Sequence, residues 1–230
     1  MSTLSKSNLE FLKNLQQNNN RDWFTANKST YEKHHIETIA FAEAVLNEMR
    51  KHDNIETLSG KKALMRIYRD VRFSKDKAPY KTNWGIGFTR ATKLLRGGYY
   101  VHIAPGESFV GGGFWAPEPT DLQRMRKEIA NNVDEFRQLL NNKTFKNTFG
   151  ELKGEKLKTV PKGYEKDHPA LDLLQFKQYL ISKKFSDKEV LEPDFYKKVN
   201  ETFKAMRPFF DFMSLALTTD ENGELLSNLK

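Results

Sequence analysis

Between Leu64 and Trp84 the chain reads LMRIYRDVRFSKDKAPYKTNW, and this stretch concentrates the side chains best suited to chemistry on an anion. Arg66, Asp70 and Arg72 fall at spacings of four and two, which on a strand puts all three on one face. Asp70 can then orient one or both guanidiniums by bidentate pairing. A guanidinium held in this way keeps donors free for a phosphate or a carboxylate. Arg69 falls among the apolar residues of the other face, where it must be re-aimed by a bulge or be paired. Lys75, Asp76, Lys77, Tyr80 and Lys81 follow in the connection to the next strand.

Three roles compete for this stretch. The first is binding of a phosphorylated small molecule or a nucleic acid through Arg66, Arg69, Asp70, Arg72, Lys77, Tyr80 and Lys81. The second is an enzyme acting on such a ligand, in which the arginines stabilise developing negative charge and Tyr80 or His102 moves a proton. Asp70 itself is a poor general base, because cations on both sides lower its pKa. The third is a self-satisfied ion-pair network that locks a sheet to its flanking helices and takes no ligand. A protein–protein module using Trp23, Trp84 and Trp115 is a further reading, weakened because aromatics at strand spacing usually pack inward.

Several common chemistries have no residues to carry them. The chain has no cysteine, which removes disulfides, thiolate nucleophiles and cysteine-ligated metal sites together. His34, His35, His52, His102 and His168 show no metal-ligand spacing. No GxSxG elbow and no GxxxxGK[ST] phosphate loop is present. Gly85-Ile86-Gly87 lacks a third glycine, and Gly111-Gly112-Gly113 runs into Phe114-Trp115 with no helix directly after it, which suits a packing or bulge role. No cofactor and no metal are expected.

The formal charge is +8 over 230 residues, and it is unevenly spread. Residues 61–100 hold eleven Lys and Arg against two Asp, which leaves the rest of the chain near neutral. Such a region raises the local concentration of phosphate-bearing or other acidic partners. A solvated lysine-rich face kept for solubility has the same composition. The first residues, MSTLSKSNLEFLKNL, lack a long apolar run or a small-residue cleavage site. No stretch approaches the roughly 18 apolar residues of a membrane span. A cytoplasmic protein without membrane association is the expectation.

Positioning these residues requires a sheet and its cover. Ser7 with Glu10 reads as a capping box opening a first helix that stops at Asn18-Asn19-Asn20. A short helix at Arg21-Asp22-Trp23-Phe24 and a long one from about Ser29 to Lys51 follow. Alternation then predicts a strand over 63–73, a second around Trp84, Ile86 and Phe88, and a third at Tyr99, Val101 and Ile103. Pro105-Gly106 turns the chain into Ser108-Phe109-Val110, completing a meander of about four strands. Pro119-Thr120 with Gln123 opens a capped helix, and another carries Phe136, Leu139 and Leu140. Residues 141–167 read as a partly irregular excursion. Tyr179-Leu180-Ile181 suggests one more strand, Ser186 with Glu189 a capping box, and Pro193 the start of a last long helix. That helix buries Phe195, Val199, Phe203, Met206, Phe210 and Met213 and contains Pro208. From Thr218 the tail is polar and is expected to fray.

The order Arg66-x-x-Arg69-Asp70-x-Arg72-Phe73 followed by Asp76-Lys77-x-x-Tyr80 resembles the signature of a largely bacterial family, domain of unknown function 2461. Asn19-x-Arg21-x-Trp23-Phe24 with Asn27-Lys28, and Gly111-Gly112-Gly113-x-Trp115 running into the Thr120 helix, match its flanking segments. The resemblance spans most of the chain and implies one domain, with no activity attached. The expected architecture is a single α+β domain over 1–230, with an antiparallel sheet of about four or more strands flanked by helices from both ends of the chain.

Overall fold

The computed structural model describes residues 2–220 and 222–229. In chain order the elements are α1 (Lys6–Gln17), α2 (Arg21–Ala26), α3 (Lys28–Met49), α4 (Gly60–Ala63), β1 (Trp84–Thr89), β2 (Gly98–Ile103) and β3 (Phe109–Phe114). They continue with α5 (Pro119–Asn131), α6 (Val133–Asn141), α7 (Lys143–Phe149), α8 (Leu171–Leu174), β4 (Tyr179–Lys184), α9 (Asp187–Val190) and α10 (Phe195–Thr218). The strands form one antiparallel sheet in the order β1-β2-β3-β4, packed against helices from the N-terminal and C-terminal regions, α3 and α10. The α+β class is therefore as the sequence predicts.

The strand expected over 63–73 does not form. Ala63 closes the short helix α4, and beyond it only two isolated antiparallel bridges mark the segment, Leu64 with Ile86 and Tyr68 with Tyr80. The alternation of apolar residues was real but had no continuous partner to pair with. Only Ile67 of its apolar set is fully buried, and Phe73 lies almost wholly in solvent. The fourth strand is instead Tyr179–Lys184.

Helix starts show which local signals survive. Ser186 and Glu189 make the full reciprocal capping box that opens α9. The one read at Ser7 does not form, because α1 begins at Lys6 after Ser5. Glu118 precedes α5 without a side-chain cap, and Pro119 occupies the first turn. The tail folds back instead of fraying: Leu226 donates its N–H to the Thr218 carbonyl at 2.9 Å, and Thr219 bridges Leu225.

The chain divides into two compact units. The first comprises 1–89, 99–110 and 184–201. Here Phe41, Ala42, Val45, Leu46 and Met49 of α3 are buried along with Trp84, Ile86 and Phe88 of β1 and Tyr99, Val101 and Ile103 of β2. Phe41 stacks on Phe195 with ring centroids 5.6 Å apart. Burying each such side chain stabilises by about 1.5–3 kcal/mol.

The second unit comprises 90–98, 111–183 and 202–230 and is built on phenylalanine. Phe136 lies 4.8 Å from Phe212, and Phe114 meets Phe209 and Phe210 edge-on. A Cβ at Gly112 would lie 2.7 Å from the Gly98 carbonyl oxygen and 2.8 Å from the Phe210 ring, so the glycine run serves close packing. An ion pair with one fully buried partner is here. Arg90, with a fully buried side chain, donates to Asp211 Oδ1 at 2.8 Å and to the Arg96 carbonyl at 3.2 Å.

Candidate functional site

The signature residues fold into a tight excursion within the first unit. Arg69 donates its N–H to the Pro79 carbonyl at 2.9 Å, and Lys81 donates its N–H to the Ile67 carbonyl at 2.7 Å. These bonds flank the Tyr68–Tyr80 bridge and close residues 70–78 into a loop. Inside it Asp76 accepts from the Ala78 N–H at 2.9 Å, an Asx turn that explains an aspartate two residues before the turn's end.

The charged side chains divide into neutralised and free ones. Arg69 donates to Asp76 Oδ2 at 2.6 Å and to the Ala78 carbonyl at 3.1 Å, which resolves its odd place in the alternation by pairing. Arg72 grips Asp70 with Nε and Nη2 at 3.0 and 2.7 Å, and both residues are exposed. The Arg72 bonds hold the Asp70 carboxyl below its ordinary range. The Ala78 N–H and then Arg69 do the same for Asp76. Lys77 Nζ donates to the Val71 carbonyl at 3.0 Å. Arg66, Lys75 and Lys81 are left over: among the described residues, no hydrogen bond or ion pair joins any of these side chains to a partner, although Arg66 lies within the field of Asp70. Burial first, and then the neighbouring Arg66 charge, lower the Lys81 pKa.

Tyr80 turns inward. It is 5% exposed and stacks on Phe24 at 4.0 Å, and burial together with the nearby Tyr68 hydroxyl raises its pKa. Its backbone is clasped by Asn19, which accepts from the Tyr80 N–H at 3.1 Å and donates to the Tyr80 carbonyl at 2.9 Å.

Beside this clasp lies an open, polar cleft of about 430 Å³. Arg69, Asp76, Tyr80 and Lys81 line one part of it, and Gln16, Asn19, Thr82 and Asn83 the rest. Of the last four, Asn19 is marked in the sequence as part of a helix stop and of a family-matching segment, whereas Gln16, Thr82 and Asn83 are not singled out there as site residues, because isolated polar residues carry no local mark of a tertiary role. From Asn83 a hydrogen-bonded run continues: Asn83 bonds the Tyr100 hydroxyl, which lies 3.2 Å from His102 Nδ1, and His102 stacks on Phe109 at 4.8 Å. Burial lowers the His102 pKa, with Glu107 opposing. Among the described residues no group of three His, Asp or Glu is placed to hold a metal ion, and no helix is long and apolar enough to cross a membrane.

The tryptophans do not form one surface. Trp84 is buried and donates to Asn8 Oδ1 at 2.7 Å, Trp23 is half-buried beside Phe11, and Trp115 is 74% exposed.

Against known families, residues 7–212 match the family described as conserved hypothetical protein DUF2461. The chain belongs to that family. The match takes in the excursion, the cleft and all four strands, so the signature that carried the resemblance lies on a matched fold and not on an isolated motif. No curated protein and no solved structure was found to match the chain. The DUF2461 signature thus has two parts in space: Asp70, Arg72 and Lys77 shape the loop, while Arg69, Asp76 and Tyr80 border the cleft, with Lys81 next to them.

Proposed function

We propose that this DUF2461 protein binds a phosphate-bearing ligand in the cleft, with Lys81 and Arg66 supplying the positive charge and Arg69 a guanidinium at its wall. Lys81 carries the reading. It is partly buried, lies within the field of a second cation, and has no carboxylate against it. Two like charges brought together cost free energy that a bound dianion would recover. Asp70 lies within the field of Arg66 but is hydrogen-bonded to Arg72, and Asp76 is bonded to Arg69, so neither carboxylate is bonded to Lys81. Asp70, Arg72, Lys77 and Tyr80 then serve by holding the loop and the cleft wall. The cytoplasm, where phosphorylated metabolites and nucleic acids are found, is the setting expected for a chain without cysteine.

Titration of the wild type with inorganic pyrophosphate, read by calorimetry, tests this. Saturable binding that Lys81→Met abolishes and Arg66→Ala weakens is the expected result. Binding unaffected by either change would remove the cleft from consideration.

An enzyme acting on the same ligand is the second reading, and the Asn83–Tyr100–His102 run favours it. A histidine with a lowered pKa, connected to the cleft through a tyrosine hydroxyl, is neutral at pH 7 and able to accept a proton. Turnover of phosphate esters lost in His102→Gln, with pyrophosphate affinity intact, would support catalysis. Its absence would leave a binding protein.

A further inference from the structure

Phe73 stands at 95% exposure, the highest of any large apolar side chain among the described residues. The loop that carries it is not slack. Asp70 is gripped by Arg72, Asp76 by Arg69 and the Ala78 N–H, and Lys77 reaches back to the Val71 carbonyl. These polar groups hold the loop's shape while the ring is left in water. The Arg72 guanidinium, which holds Asp70 through Nε and Nη2, lies 5.9 Å from the ring centroid, and Lys75 and Lys77 are exposed close by in sequence.

We propose that the 70–78 loop is a stacking platform for single-stranded nucleic acid, with Phe73 taking an unpaired base on its face and Arg72, Lys75 and Lys77 taking neighbouring phosphates. The phosphate half of this inference rests on the anion reading above; the base half rests on Phe73. Every base has a π-face, so a preformed aromatic ring among cations can take a base without reading its sequence. A duplex offers no such face, because its bases already stack on one another. A bilayer is the poorer partner for the same loop. Surface insertion needs a broad apolar face, and Phe73 has charged residues for its exposed neighbours.

The test is fluorescence anisotropy of labelled twelve-nucleotide oligo-dT and oligo-U, with a hairpin duplex and phosphatidylserine vesicles in parallel. It compares the wild-type chain with the Phe73→Ala, Phe73→Trp and Arg72→Ala variants. Phe73 makes almost no packing contact, so its substitution leaves the fold intact. Binding of either single strand, weakened about 5- to 150-fold in Phe73→Ala and restored in Phe73→Trp, is the expected result. Arg72→Ala should flatten the log–log salt slope by about 0.7, whereas Phe73→Ala should not change it. Equal binding by Phe73→Ala and wild type, preference for the duplex, or binding to vesicles alone would overturn the proposal. Pyrophosphate titrated into the same samples separates the two claims. If it binds through Lys81 while the oligonucleotides do not bind, the stacking platform falls and the cleft stands; if neither binds, both fall.

Discussion

The side-chain amide of Asn19 satisfies both backbone groups of Tyr80, accepting from its N–H at 3.1 Å and donating to its carbonyl at 2.9 Å. One residue after α1 thus acts as a missing strand partner for the segment that leads from the signature loop to β1. It also forms one wall of the cleft.

Replacing Asn19 by Ala removes both bonds and leaves a partly buried backbone donor without a partner. A loss of about 1–3 kcal/mol in unfolding free energy is expected from urea denaturation. Pyrophosphate affinity should fall with it, because Lys81 follows Tyr80 directly in the chain. A variant with full stability and full affinity would show that the clasp is incidental.

Lys81→Met should stabilise the protein. The folded-state pKa of Lys81 is lowered, so above that pKa the unfolded chain holds a proton that the folded chain has released, and stability rises with pH from there up to the unfolded value. Below the folded pKa the buried charge is a constant cost, which methionine removes. The gain in Tm should therefore be largest at neutral pH and shrink as pH approaches that of an ordinary lysine. Ligand affinity should fall over the same alkaline range, as the ammonium is lost. A lower Tm in Lys81→Met at neutral pH would contradict both.

Asp70 and Asp211 make opposite predictions, although each pairs with an arginine. The Asp70–Arg72 pair is exposed on both sides, so Asp70→Ala should leave Tm nearly unchanged. Asp211, itself half-exposed, faces an Arg90 whose side chain is fully buried, so Asp211→Ala takes the carboxylate from a buried guanidinium and should cost about 1–3 kcal/mol. Thermal denaturation of the two variants side by side decides this.

The single-domain expectation predicts one cooperative transition. The chain passes between its two compact units at 89–90, 98–99, 110–111, 183–184 and 201–202, and four of these points lie inside β2, β3, β4 and α10. Neither unit can melt without breaking elements the other needs. Far-ultraviolet circular dichroism and tryptophan fluorescence should give coincident urea curves. Two resolved transitions would divide the chain in two.

What the sequence by itself determined is what short-range physics controls. The apolar spacing of α3 and α10 places Val45, Leu46, Val199, Phe203, Met206 and Phe210 in the core, and all are buried. The Ser186–Glu189 box closes within four residues and needs nothing else. Alternation at Trp84, Ile86 and Phe88 marks a true strand, because β2 lies along it. The same alternation at 63–73 marks none, because a strand is made by its neighbour and this stretch finds only single bridges. Tertiary structure alone decided that the partner of Arg69 would be Asp76, and that Tyr80 would stack on Phe24. It also paired Arg90 with Asp211, 121 residues away. Charge type and order are written locally, but which charges are neutralised depends on where distant backbone brings its carboxylates. Lys81 is one of the cations left with no carboxylate bonded to it.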